Sequence, residues 1–540
     1  MQPFVSIQGL QISFPAQHVP AVAGISFDIY PGECVAIIGE SGSGKSLTAL
    51  ALNGLLPPQA KMDGKIIYHT LPGQTFAPEL RGKTTGNIFQ DPMQALNPVY
   101  SCGFQVMEAI QQHQPCSRKE AEQRAIQLFA DVELPNPSGI LNRYPHELSG
   151  GQQQRVMIAM AICNQPDLLI ADEPTTALDL AIQHEILQLI HRLRHTYGMA
   201  VLLISHNLQM VESYADRLLI MQQSHIVESG KTQDIITHPT HAYTKSLWLS
   251  RPTFTSKGKT LPAAGQPEPE TLSIIPTPNP ADVLIEVQHL TKVYRERKKM
   301  FGQKANEITA VNDVSFSIRR NEILGVVGES GCGKSTLGRM LLQLTEPSGG
   351  SVRLNGTDLT QCSRRELRKL RSQMQMVFQN PYASLNPQMT LHEILYEPLL
   401  LHTSLSPAQK KERILELVHQ VQLLPEHLSR YPHQFSGGQR QRIAIARALA
   451  THPSFIVFDE SVSALDVRVQ ASILNLIQQL RRQYAFSALF ISHDLSVVHY
   501  ISDRILVMQN GRVVEINEAN ALFRSPVEPY TQKLLRSAIH

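Results

Sequence analysis

Apolar residues along this chain come in short blocks of two kinds. Continuous runs at residues 34–38, 168–171, 200–204, 323–327, 455–458 and 488–491 have the length of buried strands. Other blocks repeat at helical spacing. Residues 105–112 and 119–132 form amphipathic candidates, and residues 47–56 form a helix-prone segment stopped by Pro57-Pro58, with a counterpart at 336–344. Strands alternating with helices predict an α/β core with a mostly parallel sheet. Residues 4–29 and 283–318 alternate like strands and predict a small antiparallel β layer beside each core. Residues 96–146 and 385–433 predict a separate helical subdomain in each half.

The pattern occurs twice in register. Lys45 and Lys334 lie 289 residues apart, as do Gln90 and Gln379; Ser149/Ser436, Glu173/Glu460, His206/His493 and Tyr243/Tyr530 are each 287 apart. A spacing held over that span indicates tandem duplication. It predicts one domain over residues 1–250, a second over 282–540, and a Pro-rich linker over 251–281 with little core to bury. Such a tether would raise the effective concentration of one half for the other. The second half carries nine extra residues around 295–303, expected as a solvated loop; the first has two extra between Gln90 and Ser149.

Composition narrows the class. A chain of 540 residues exceeds what one hydrophobic core organises, and 42% apolar with 18% charged residues is ordinary for a globular protein. A net charge of +3 gives no support for nucleic-acid binding through a basic field. The first residues show neither the basic nor the apolar part of a signal peptide, and the apolar runs are too short to span a bilayer. Six cysteines without paired spacing suit a reducing compartment and argue against a disulfide framework or zinc site.

The duplicated motifs carry the chemistry. Gly39-Glu-Ser-Gly-Ser-Gly-Lys-Ser46 and Gly328-Glu-Ser-Gly-Cys-Gly-Lys-Ser335 each sit between an apolar run and a helix-prone segment, the setting a phosphate-binding loop requires. Gly39, Ser41, Gly42 and Gly44, with Gly328, Ser330, Gly331 and Gly333, would let backbone N–H groups close on phosphate oxygens. Lys45 and Lys334 would reach the β- and γ-phosphates, Leu47 and Thr336 continue the cradle, and the Ser46 and Ser335 hydroxyls would ligate Mg²⁺. Two further runs end in adjacent carboxylates, Asp172-Glu173 and Asp459-Glu460. At the C-terminal end of a strand, the aspartates could hold Mg²⁺ and the glutamates could orient or deprotonate an attacking water. Ser149-Gly150-Gly151-Gln152 and Ser436-Gly437-Gly438-Gln439 each open a helix, offering free N–H groups and the positive end of its dipole to an anion.

The full Ser-Gly-Gly-Gln-x-Gln-Arg string, present twice, resembles the signature of the ATP-binding cassette (ABC) family, and the likeness covers nearly the whole chain outside the linker. The resemblance implies two P-loop NTPase domains binding ATP and Mg²⁺. It places Gln90 and Gln379 in Q-loops that sense the metal and water. His206 and His493 become switch histidines, Asp179 and Asp466 D-loop residues linking two sites, and Phe14 and Tyr294 aromatics stacking on adenine. In that family two cassettes pair head to tail. Lys45, Gln90, Asp172, Glu173 and His206 would then share a site with 436–439, and Lys334, Gln379, Asp459, Glu460 and His493 one with 149–152. Both would hydrolyse ATP.

Three further strings resemble the importers of peptides, nickel and glutathione, nearest to fused two-cassette peptide and microcin C importers. They are Gln90-Asp-Pro-Met-Gln-Ala-Leu-Asn-Pro98, Arg143-Tyr-Pro-His-Glu-Leu148 and His238-Pro-Thr-His-Ala-Tyr-Thr244, each with a second-half counterpart. That likeness implies two integral membrane permease subunits docking near 90–110 and 379–400, and an extracytoplasmic solute-binding protein acting indirectly. It implies a peripheral location on the cytoplasmic face of the bacterial inner membrane. Cysteine is absent from 241–250 and 530–540, so the iron–sulfur centre of some relatives is not expected. A soluble twin-cassette ATPase acting on ribosomes is the rival; its charged helical linker is not matched by the near-neutral, Pro-rich 251–281.

Overall fold

The computed structural model describes residues 2–15, 18–70, 81–175, 180–205, 208–263, 269–271, 279, 281–295, 307–463 and 465–539. The chain divides into two compact units, Met1–Trp248 and Leu249–His540.

In the first unit, β1 (Val5–Ser13), β2 (Val22–Ile29) and β4 (Lys61–Tyr68) form an antiparallel layer in the order β2-β1-β4. The main sheet contains β3 (Cys34–Gly39), β5 (Thr85–Ile88), β6 (Leu168–Asp172), β7 (Ala200–Ile204), β8 (Arg217–Gln222) and β9 (His225–Lys231). Its order is β5-β6-β7-β3-β8-β9, parallel except for the β8–β9 pair. Strand β3 is buried throughout because both faces are covered. The core fills the space between the two layers, with Ile7, Leu10 and Ile12 packed in one cluster with Val35, Ile37 and Leu52. The helices Cys102–His113 and Arg118–Asp131 form the predicted helical subdomain.

The second unit repeats this plan. Its outer layer joins β10 (Val283–Arg295), β11 (Glu307–Arg319), β13 (Gly349–Leu354) and β14 (Thr357–Asp358) in the order β11-β10-β13-β14. Its main sheet has β12 (Ile323–Val327), β15 (Met374–Val377), β16 (Phe455–Asp459), β17 (Ser487–Ile491), β18 (Arg504–Gln509) and β19 (Arg512–Glu518), ordered β15-β16-β17-β12-β18-β19. Of the expected insertion around 295–303, only Arg295 lies within the described residues.

Two expectations need revision. The phosphate-loop helices are Lys45–Leu52 and Lys334–Leu341, shorter at the C-terminal end than the apolar pattern suggested. Gly54 and Gln343 adopt left-handed backbone (φ 59 and 51), and the next amide in each case bonds back across the last turn, Leu55 to Leu50 and Leu344 to Arg339. This closing motif ends a helix before any proline is reached. The linker also has more structure than its composition suggested. Leu261 and Ala263 are buried in the second unit's core; Asn475 brackets Leu261 with bonds of 2.8 and 2.9 Å, and Lys257 Nζ donates to Ser502 O at 2.6 Å.

Candidate functional site

The site sits at the C-terminal ends of the parallel strands, where β3 or β12 turns through a glycine-rich loop into its helix. Gly44 and Gly333 hold φ near 101 and 103, and a Cβ there would lie 2.5 Å from Ala21 O or 2.1 Å from Ala310 O. Only glycine fits. The helix N-terminus consequently opens toward the loop, the end whose dipole favours an anion. Lys45 Nζ donates to Gly39 O and Glu40 O at 2.8 Å each, and Lys334 Nζ to Gly328 O and Glu329 O at 2.8 and 2.9 Å. Ser41, Gly42, Ser330 and Gly331 form the exposed rim, while Leu47 and Thr336 are half-buried on the helices behind it.

Each loop serine meets the strand-end aspartate. Ser46 Oγ donates to Asp172 Oδ1 at 3.1 Å and Ser335 Oγ to Asp459 Oδ1 at 2.8 Å. Burial pushes both aspartates above the usual carboxylate range, against the serine bonds. Desolvated hard oxygens beside a phosphate cradle are a donor set suited to a divalent cation. Among the described residues no group of three or more His, Cys, Asp or Glu gathers to hold a metal by itself.

The neighbouring glutamates are tethered from the far side. Gln90 Nε2 donates to Glu173 Oε2 and Gln379 Nε2 to Glu460 Oε2, both at 2.8 Å. Glu173 and Glu460 take left-handed backbone (φ 48 and 45), held by amide bonds of 2.9 Å to Ile204 O and Ile491 O. Non-glycine residues in that region cost roughly 1–3 kcal/mol and concentrate where function fixes them. His493 Nδ1 stands 3.7 Å from Glu460 Oε2 and holds its carboxyl below the usual range, against burial. His206, the expected equivalent, lies outside the described residues, as does Asp179.

The remaining expected residues take local roles. Asp466 caps the helix Val467–Tyr484, accepting from Val469 N at 3.1 Å. Ser149 and Ser436 cap the helices Gly150–Ile162 and Gly437–Leu449, closed reciprocally by Gln152 and Gln439. This capping box accounts for the spacing of Ser and Gln independently of any anion. Gly151 and Gly438 permit close packing: a Cβ would lie 3.0 Å from Ile182 Cγ2 and 2.4 Å from Val469 Cγ1. Phe14 packs at the edge of the first core, and Tyr294 is 45% exposed with Lys292 Nζ 5.2 Å from its ring centre. Two contacts were not expected from sequence. Glu40 N donates to Tyr243 Oη at 3.2 Å, and Glu329 N to Tyr530 Oη at 3.1 Å. The matched spacing of the two tyrosines was the one available signal.

Comparison with known proteins matches residues 22–176 and 311–463 to the family model "ABC transporter". Residues 227–275 and 514–540 match "Oligopeptide/dipeptide transporter, C-terminal region". The glutathione import ATP-binding protein GsiA of Escherichia coli O6:H1 is 42% identical over 98% of this chain and 89% of its own length. GsiA of Pectobacterium atrosepticum is 41% identical with the same coverage. The solved dimer of the ATP-binding cassette MJ0796 with ADP and phosphate matches 44% of this chain and 99% of its own, at 28% identity and TM-score 0.40.

Proposed function

We propose that this chain, which belongs to the ABC transporter family, is the ATP-hydrolysing subunit of an importer for peptide-like solutes. The observation that carries the reading is the same pair of contacts made in both units: loop serine to strand aspartate, and Q-loop glutamine to glutamate. The match of both C-terminal segments to the oligopeptide/dipeptide region supports a peptide-like solute. Glutathione, itself a small peptide, is named in the full-length relatives and is the second candidate.

Hydrolysis uses the chain's residues as follows. Lys45 and Lys334 exchange the loop carbonyls they hold for phosphate oxygens, while the loop amides cradle the same groups. Ser46 with Asp172, and Ser335 with Asp459, present the oxygens that fit Mg²⁺. When bound, Mg²⁺ supplies positive charge at the β- and γ-phosphates. Glu173 and Glu460, fixed by their backbone and by Gln90 and Gln379, orient the attacking water and take its proton. His493 steadies Glu460, and His206 is assigned the same part in the first unit.

The finer reading pairs the cassettes head to tail, so that each phosphate loop is completed by 149–152 or 436–439 of the opposite half. Two intact phosphate loops, two intact signatures and solvent-facing serine caps support it. Asp179 and Asp466 would link the two sites. Phe14 and Tyr294 would stack on adenine.

Membrane permeases complete the importer; we assign two, fed by an extracytoplasmic binding protein, with this subunit on the cytoplasmic face of the inner membrane. Among the described residues no helix is long and apolar enough to cross a membrane. The exposed Phe89, Met93, Val99, Tyr100 and Phe104, beside a cavity of about 180 Å³ lined in part by Phe89, Leu96 and Met157, support docking near 90–110. Reconstitution with the permeases and binding protein tests the assignment. ATP turnover should rise on adding short peptides or glutathione. A complex that ignores both, or a chain that co-purifies with ribosomes, would overturn it.

A further inference from the structure

Each unit ends in a helix whose entry is pinned by a strand glutamate. Glu228 on β9 accepts from Thr240 N and Oγ1 at 2.7 Å each and from His241 N at 3.2 Å. Glu515 on β19 accepts from Val527 N and Glu528 N, both at 3.2 Å. Strand β9 pairs with β8, and β8 with β3, whose C-terminal end is the phosphate loop; β19, β18 and β12 repeat the arrangement. The helices Ala242–Leu249 and Pro529–Ile539 therefore begin at a height set by the central sheet. Tyr243 and Tyr530 lie in their first turns. Tyr243 is 4% exposed, and Tyr530 packs against the second unit's core.

The two hydroxyls meet one particular peptide group. The amide linking Gly39 to Glu40 donates its N–H to Tyr243 Oη and receives Lys45 Nζ on its carbonyl. The amide linking Gly328 to Glu329 does the same between Tyr530 and Lys334. A trans peptide is planar, with N–H and C=O pointing in opposite directions, so an anchor at one end fixes the direction of the other. Bonds in series also polarise one another.

We propose that Tyr243 and Tyr530 are positioning residues for ATP hydrolysis, each fixing the peptide plane on which the phosphate-loop lysine rests. The C-terminal segment is thereby a working part of the nucleotide site. The lysine leaves that carbonyl for the phosphate from a defined orientation, and without the hydroxyl the loop samples others. Nucleotide capture weakens, while the water-activating glutamate on another strand is untouched. The inference rests on the ATP-site reading above.

Tyr243→Phe and Tyr530→Phe, singly and together in the full chain, test it because they remove only the hydroxyl and keep the ring packing. Binding of a fluorescent ATP analogue and steady-state ATPase of the reconstituted importer are read together with unliganded melting temperature. The double variant should show KM for ATP and the analogue Kd raised roughly fivefold, the scale of one lost hydrogen bond. Its kcat should stay within twofold and its melting temperature should fall by no more than a few degrees, the scale of the lost hydrogen bonds. Undiminished affinity in the Phe variants would overturn the inference alone, as would a loss of kcat that tracks a fall in melting temperature. A wild-type chain that does not bind the analogue would overturn the ATP-site reading together with it.

Discussion

At the scale of single residues, the charge state of Glu460 shows how the site is balanced. Its carboxyl is held below the usual range by the His493 side chain, against burial. A carboxylate depressed in the folded state contributes stability that is complete above its unfolded value, about pH 4.5, and is lost as pH falls through the lower folded value. The melting temperatures of wild type and Glu460→Gln should therefore differ at pH 7 and converge as the pH drops below 4. Equal separation at both would show that the contact is not charge-dependent. The identities of Lys45, Ser46, Asp172, Glu173 and their second-half partners were legible because each lies in a string of fixed spacing. The strained backbone at Glu173 and Glu460 was not legible, since nothing in an Asp-Glu pair announces a left-handed φ. The tyrosine contacts were equally hidden, because about 200 residues of chain separate Glu40 from Tyr243 and Glu329 from Tyr530.

At the scale of elements, the two signature glycines are not equivalent. A Cβ on Gly438 would sit 2.4 Å from Val469 Cγ1, whereas one on Gly437 would find its nearest neighbour, Leu465 Cδ2, at 3.8 Å. Gly438→Ala should destabilise the second unit by about 1–3 kcal/mol, the usual cost of overpacking, and Gly437→Ala by well under that. Thermal unfolding distinguishes them, and equal effects would contradict the packing account. The stretch after the first unit behaves as an element too. Phe254 packs on Phe523 and His499 with ring centres 4.9 and 5.6 Å away, and Lys257 reaches Ser502 O. Burial pushes the Lys257 ammonium down to about 8, against the pull of Asp503. The unfolded chain keeps that proton to about pH 10.5, so unfolding takes up a proton between the two values and stability gains as pH rises through the window. Wild type should gain melting temperature relative to Lys257→Met between pH 8 and 10; parallel curves would exclude the buried ammonium. Composition hid this segment because the apolar residues it docks with, among them Phe254, Leu261 and Ala263, are spaced without helical or strand period.

At the scale of the whole molecule, duplication was the most legible feature. Two sheets of identical strand order and two sets of site contacts repeat in structure what the constant offset announced in sequence. The fold class and the helical insertions followed from run length and periodicity, since buried parallel strands and amphipathic helices leave different patterns. The solute left no comparable trace, because no residue of an ATP-hydrolysing cassette has to touch it. Both halves are proposed to carry working hydrolytic machinery. The most direct test is ATP turnover of the reconstituted importer with Glu173→Gln and Glu460→Gln made singly. Each substitution removes one carboxylate proposed to activate water while keeping its shape; general-base catalysis is typically worth about 10²–10⁴ at the altered site, so each should cut total turnover by about half or more. A single variant that keeps near-wild-type turnover would contradict the account, leaving one site to do the work of both.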